Sequence, residues 1–230
     1  MKTVWIIWGV WPETTAEFYL DIVFSCQRKN VSARPGIIIS SVPLPLQIEK
    51  ELIEKNEGAE RYIPFLIAEA KRLEQSGADF IVMPCNSLHI FIEEIRAAVN
   101  IPVLSIIEET VKFFQKNNFK KAGIVSTSAT IKNKLYEQAF ENADIGYETP
   151  DPYQQEKMGK YIMNLVSGMQ SNKDREGLIE IINNFENKNV EVVILACTDL
   201  QLLIPTHPRL RIFDTMKIFS DATVDKILSD

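Results

Sequence analysis

Histidine, cysteine, glycine and long apolar runs are all scarce in this chain. Its 230 residues include two histidines, three cysteines and nine glycines. His89 and His207 alone, with no Cys-x-x-Cys pair, supply too few ligands for a metal centre, so no metal is expected. Three cysteines are an odd number and too few for a disulfide framework, which points to reduced thiols and a cytoplasmic setting. No apolar run approaches the ~18–20 residues that cross a bilayer, so no membrane span is expected. The apolar stretch at residues 4–8 is cut off by Gly9, Pro12 and Glu13 and lacks a small-residue cleavage site, so it reads as a first strand and not as a signal peptide. Lysine and arginine (25) are outnumbered by aspartate and glutamate (31), and no basic block occurs, which argues against a nucleic-acid partner. Nothing nominates a Schiff-base lysine, so no cofactor is expected.

What remains is ordinary for a soluble α/β protein. Apolar residues make up 46% and charged residues 24%. Short β-rich apolar runs fall at residues 4–8, 36–40, 80–83, 103–104, 122–126, 145–147, 192–196 and 211–213. Most lack polar alternation, as parallel strands covered on both faces do. Between them lie helical patterns at about 14–29, 60–76, 87–99, 108–117, 130–142, 154–169, 174–187 and 216–228. Gly77 stops the second of these, and Pro102 lies beyond the end of the third. The β-α alternation predicts parallel sheets flanked by helices.

Two cysteines occupy matching settings. Cys85 ends the run Phe80-Ile81-Val82-Met83-Pro84 and is followed by Asn86-Ser87; Cys197 ends Val192-Val193-Ile194-Leu195-Ala196 and is followed by Thr198-Asp199. The repeat predicts two similar lobes facing each other, over residues 1–107 plus 209–230 and over 108–208, with no Gly/Ser linker between them. Ligands of open α/β sheets bind beyond the carboxyl ends of the strands, where both cysteines fall. Two thiols facing one pocket suit proton transfer at a carbon: one thiolate removes a proton and a thiol on the other face returns one. A cysteine pKa of ~8.5 keeps both forms within reach, and a helix beginning after each strand would favour the thiolate. Asn86, Ser87 and Thr198 add side-chain donors for a carboxylate and for the charge that develops on it. Cys26, inside the first helix, reads as a small buried hydrophobe.

With these residues in view, the chain resembles the aspartate/glutamate racemase family. Cys85-Asn86-Ser87-Leu88-His89 is similar to the family's first cysteine motif, and Cys197-Thr198-Asp199-Leu200 to its second. Residues 12–19, Ser126-Thr127 and Phe213-Asp214-Thr215 are further matches. The resemblance implies a pseudo-symmetric two-lobe α/β fold with its site between the lobes, no cofactor, an amino-acid substrate and a homodimer. It implies Cys85 and Cys197 as the acid–base pair, with Asn86, Ser87, Thr127 and Thr198 around the substrate.

Two departures bear on the substrate. The family opens on a Gly-rich loop, whereas this chain has Trp8-Gly9-Val10-Trp11-Pro12. Trp8 reads as packing at the strand end, and Trp11 as a candidate to touch the substrate. Aspartate-specific members clamp a side-chain carboxylate with an arginine after the second strand and a lysine in the second lobe. Residues 40–48 contain no cation here, and residues 164–168 no lysine. A less acidic amino acid, or a broad range, is as well supported as aspartate. Rival readings on the same scaffold are cis–trans isomerisation of a dicarboxylate by nucleophilic cysteine and amino-acid binding without catalysis. His89, soon after Cys85, could orient that site or serve local structure.

Overall fold

The computed structural model describes residues 1–7, 12–29, 33–43, 45, 48, 58–203 and 206–229, with side chains at 12 and 13 excepted. The chain forms two compact units, Met1–Glu109 with Met216–Asp230, and Thr110–Thr215.

The first unit holds a four-stranded parallel sheet of β1 (Val4–Ile7), β2 (Ile37–Ser40), β3 (Phe80–Val82) and β4 (Val103–Leu104), ordered β2-β1-β3-β4. The second holds β5 (Lys121–Ser126), β6 (Gly146–Glu148), β7 (Val192–Ala196) and β8 (Arg211–Asp214), ordered β6-β5-β7-β8 and also parallel. The two orders are the same pattern, second-first-third-fourth. Burial follows position. The central strands β1, β3 and β7 are buried at every residue, whereas the edge strands β2, β6 and β8 are partly exposed. A central parallel strand is covered on both faces, which is why its sequence runs apolar without alternation.

Helices follow the strands. The first unit carries α1 (Pro12–Arg28), α2 (Ile63–Gln75), α3 (Ile92–Ala98) and the start of α4 (Ile106–Lys116). The second carries α5 (Ser128–Lys132), α6 (Leu135–Glu141), α7 (Pro152–Val166) and α8 (Asn172–Asn183). α9 (Thr215–Leu228) closes the chain. Leu66, Glu69, Ala70 and Leu73 line the buried face of α2 at helical spacing, Pro64 stands in its first turn, and Gly77 at φ 90° ends it. α7 and α8 each open on a capping box, Asp151 with Gln154 and Ser171 with Asp174.

Each sheet has its own apolar core. Trp5, Ile7, Ile81 and Met83 pack with Leu66, Ala70, Leu73 and Ile95. Val125, Val193, Leu195 and Cys197 pack with Met158, Ile162, Leu178 and Ile182. Each fully buried Val, Leu or Ile contributes ~1.5–3 kcal/mol. Gly123 in β5 lies flush against an aromatic ring: a Cβ there would fall 2.8 Å from Phe185 Cδ2. No helix among the described residues is long and apolar enough to cross a membrane.

Both boundaries fall later than expected: the first unit runs to Glu109 and not 107, and the second break moves further. β8 pairs with β7 from Val192↔Arg211 to Leu195↔Asp214, so residues 211–214 belong to the second sheet and the chain returns to the first unit at Met216, not at 209. A short apolar run says that a strand forms, not which strand it joins.

Candidate active site

In a sheet ordered second-first-third-fourth, the direction in which successive parallel strands are added reverses between the first and third strands. The crevice beyond their carboxyl ends is where ligands of open α/β sheets bind. Cys85 follows β3 and Cys197 follows β7, so each thiol stands beyond the third strand of its own sheet. The repeated sequence context is thus a repeated structural position.

Around Cys85 the backbone is tightly specified. The Cys85 N–H donates to the Met83 carbonyl at 2.8 Å, closing a three-residue turn centred on Pro84. Proline's fixed φ suits that centre. A 3₁₀ helix, Ser87–Phe91, follows, with the His89 N–H donating to the Asn86 carbonyl at 3.1 Å. Asn86 is buried and Ser87 half-buried, beside the half-buried Cys85.

His89 is buried, and both of its ring nitrogens are engaged. The Ile106 N–H donates to Nε2 at 3.1 Å, and Nδ1 lies 2.7 Å from the Cys85 carbonyl oxygen. A backbone N–H can only donate and a carbonyl can only accept, so the proton sits on Nδ1. Burial lowers the imidazole pKa to about 4, against the opposing pull of the Cys85 carbonyl. His89 is therefore a neutral bridge between Cys85 and the first N–H of α4. Arg96 steadies the far side: it donates to the Val103 carbonyl and forms a bidentate pair with Glu108 at 2.7 and 2.8 Å.

In the second unit the register places Val125 beside Leu195 and Ser126 beside Ala196, which brings Thr127 next to Cys197 at the strand tips. Thr127 is the N-cap of α5; its hydroxyl accepts from the Thr130 N–H at 3.3 Å. Cys197 and Thr198 are each 6% exposed. The Cys197 carbonyl accepts the Leu200 N–H at 3.1 Å, and a short 3₁₀ helix, Leu200–Leu202, follows. Beneath this turn Thr215 Oγ1 donates to the Leu195 carbonyl at 2.9 Å. The Tyr136 phenol is fully buried, hydrogen-bonds with Thr110 and Thr215, and has its pKa pushed up by burial.

The expected helix N-terminus at each thiol is not an α-helix. Both cysteines precede short 3₁₀ turns, whose few aligned peptides carry little of the macrodipole. Trp8, Trp11 and the side chain of Glu13 lie outside the described residues. At the end of β2, the Ser40 hydroxyl hydrogen-bonds Glu69 at 2.5 Å and also contacts Arg72. A cation does come near the second strand, therefore, but from α2, and it is paired with Glu69 at 2.7 Å. In the second unit the Asn164 amide donates to Asp174 at 3.1 Å, tying α7 to α8. His207 is a structural link: Nε2 meets Asn183 Oδ1 at 2.9 Å, and Nδ1 accepts the Leu210 N–H at 3.0 Å.

Sequence reasoning missed Gln155. Its amide donates to the Ser126 carbonyl at 3.1 Å, beside Thr127, while its buried Oε1 has no hydrogen-bond partner among the described residues. Nothing in its local sequence marks it, because the contact crosses from α7 to a strand tip. A surface pocket of about 300 Å³, lined by Ser171, Arg175, Leu202 and Leu203 among others, includes neither cysteine.

Comparison with known proteins agrees with this geometry. The family described as Asp/Glu/Hydantoin racemase matches residues 7–223. The chain is 26% identical over 229 residues to the broad specificity amino-acid racemase RacX of Bacillus subtilis (strain 168), covering 97% of each chain. A solved structure from Yersinia pestis, assigned provisionally as an Asp/Glu racemase, superposes with a TM-score of 0.87 at 26% identity over all of both chains. PH1733, an aspartate racemase homologue from Pyrococcus horikoshii OT3, gives a TM-score of 0.81 at 26% identity, again over all of both chains. The chain belongs to the Asp/Glu/hydantoin racemase family, and racemases are isomerases.

Proposed function

We propose that this protein is a cofactor-independent amino-acid racemase in which Cys85 and Cys197 exchange a proton with the two faces of the substrate Cα. One observation carries this reading: the two thiols follow the third strand of two sheets with the same strand order. In one direction a thiolate takes the Cα proton while the opposite thiol gives its proton to the other face. The two sulfurs end with their protonation states swapped, and the reverse reaction restores them. Asn86, Ser87, Thr127 and Thr198 supply donors for the substrate carboxylate and for the charge that spreads onto it as the Cα proton leaves. Trp11 is carried as a further substrate contact.

The substrate is a less acidic amino acid, or a broad range. Two observations support this. Arg72, the cation beside Ser40, is already paired with Glu69, and Asn164 is bound to Asp174. RacX, named for broad specificity, is similar over nearly the whole chain. The enzyme works in the cytoplasm and as a homodimer; light scattering of the purified protein would check the dimer.

Incubation with each proteinogenic L-amino acid, without added cofactor, followed by chiral chromatography, tests the function. Appearance of the D enantiomer, lost in Cys85→Ser and Cys197→Ser, is the expected outcome. Binding of amino acids with no loss of optical purity would overturn it, as would a covalent substrate adduct on one cysteine.

A further inference from the structure

Cys85 is pinned on both sides of its Cα. Its N–H is held by the Met83 carbonyl around Pro84, and its carbonyl is held by the His89 ring. With both flanking peptide planes fixed, the rotation about Cα–Cβ is the main freedom left to the thiol. His89 in turn is anchored outside its own turn, through the Ile106 N–H, 17 residues along the chain at the start of α4. That N–H is one of the donors a helix leaves unsatisfied at its first turn. One rigid ring therefore joins the thiol's own peptide to a helix end. Neither ring nitrogen is left for acid–base work on a substrate: Nε2 faces a donor, and the Nδ1 proton faces an acceptor.

We propose that His89 is a positioning residue for Cys85, a neutral imidazole that fixes the thiol's backbone to the first turn of α4. This rests on Cys85 being one of the two proton-transfer thiols proposed above. Proton abstraction from carbon needs a sulfur aimed closely at Cα, and a misplacement of about 1 Å costs on the order of a hundredfold in rate.

Two conservative variants separate the bonds. In His89→Asn the side-chain amide falls where Nδ1 was and can still donate to the Cys85 carbonyl. In His89→Gln the amide oxygen falls where Nε2 was and can still accept from Ile106, while the bond to Cys85 is given up. Alkylation by iodoacetamide, followed at Cys85 and Cys197 by peptide mass spectrometry, reports on each thiol without any substrate. Each variant cuts the bridge from Cys85 to α4, so we expect both to change the alkylation rate at Cys85 several-fold with Cys197 unaltered, His89→Gln more because it also releases the Cys85 carbonyl. Solvent-deuterium wash-in at Cα is followed with the proteinogenic amino acid that the parent protein racemises fastest. His89→Gln should slow wash-in on the order of tenfold to a hundredfold, most from the enantiomer that Cys85→Ser impairs most, and His89→Asn should slow it less but with the same preference. Parent-like behaviour of both variants, or equal effects on both thiols, would overturn the positioning role. So would ¹⁵N spectra of the parent protein showing an Nε2–H or charged ring at neutral pH, a test that needs no variant to fold. If Cys85→Ser racemises at the parent rate, the two-thiol function fails instead, and the alkylation contrast still decides whether His89 places the sulfur.

Discussion

The turns that carry Cys85 and Cys197 occupy the same place in two sheets of the same order, yet they are held in different ways. Cys85 is half-buried, and its carbonyl is gripped by a histidine that also reaches α4. Cys197 lies deeper among the side chains of α7 and α8, and its carbonyl is held within its own turn by Leu200. The outside support in the second unit arrives two residues earlier, at Leu195, from Thr215, the first residue of α9 directly after β8. The same topological position is thus rigidified by a histidine ring on the cysteine's own carbonyl in one unit and by burial plus a threonine hydroxyl two residues earlier in the other. Strand order places a group; local chemistry decides how tightly it is held.

The largest expected effect breaks both turns alike. Replacing either thiol by a hydroxyl, in Cys85→Ser or Cys197→Ser, removes a group able to take or give the Cα proton. Racemisation should fall by on the order of 10²–10⁴-fold, measured by polarimetry or chiral chromatography. Deuterium wash-in should fall unequally from the two enantiomers, in opposite senses for the two variants.

A pH experiment separates the turns next. His89 has a pKa of about 4 in the fold against an ordinary 6.5. As pH falls below 6.5 the unfolded chain takes up this proton and the folded chain does not, until pH reaches about 4. The stabilisation is full above pH 6.5 and declines between those limits by about 3 kcal/mol. Urea midpoints of the parent protein should therefore drop across this window more steeply than those of His89→Asn. Parallel curves would show that protonation of His89 is not coupled to folding.

Thr215→Val addresses the other turn. It removes the donor to the Leu195 carbonyl and a partner of Tyr136, at an expected cost of about 1–3 kcal/mol. The loss should appear in the urea midpoint and in faster alkylation of Cys197, with Cys85 unchanged. The smallest effect is expected at the second histidine. His207→Ala releases the loop at 206–210 from Asn183, costing about 1 kcal/mol, and should leave turnover per folded molecule unaltered.

Much of this architecture could be read directly from the residues. Each of the eight short runs became a strand, with ends shifted by a residue at most among the described residues; central strands such as β3 and β7 are legible because a buried parallel strand runs continuously apolar, whereas the partly exposed edge strand β6, Gly146-Tyr147-Glu148, carries no Val, Ile, Leu or Phe. The cysteines stood out because each follows such a run with a polar residue next in line. What could not be read was pairing at a distance. The run at 211–213 does not announce β7 as its neighbour. The Glu69–Ser40–Arg72 group joins β2 to α2 across a long sequence gap. His89 could be suspected from its nearness to Cys85, but its tautomer depends on Ile106. Helix type was also hidden: the stretch at 87–99 has a helical pattern, yet its first turn is 3₁₀ and only 92–98 is α.

The contact between Gly123 and Phe185 has a consequence for how such a protein can change. A methyl added at Gly123 meets the aromatic ring head-on, so the middle of β5 admits no growth. Four residues further on, Thr127 stands at the strand tip, where a loop can be rebuilt without moving the layers beneath. Variation is thereby steered to the rim, and new ligand preferences can arise by mutation there while the interior column stays as it is.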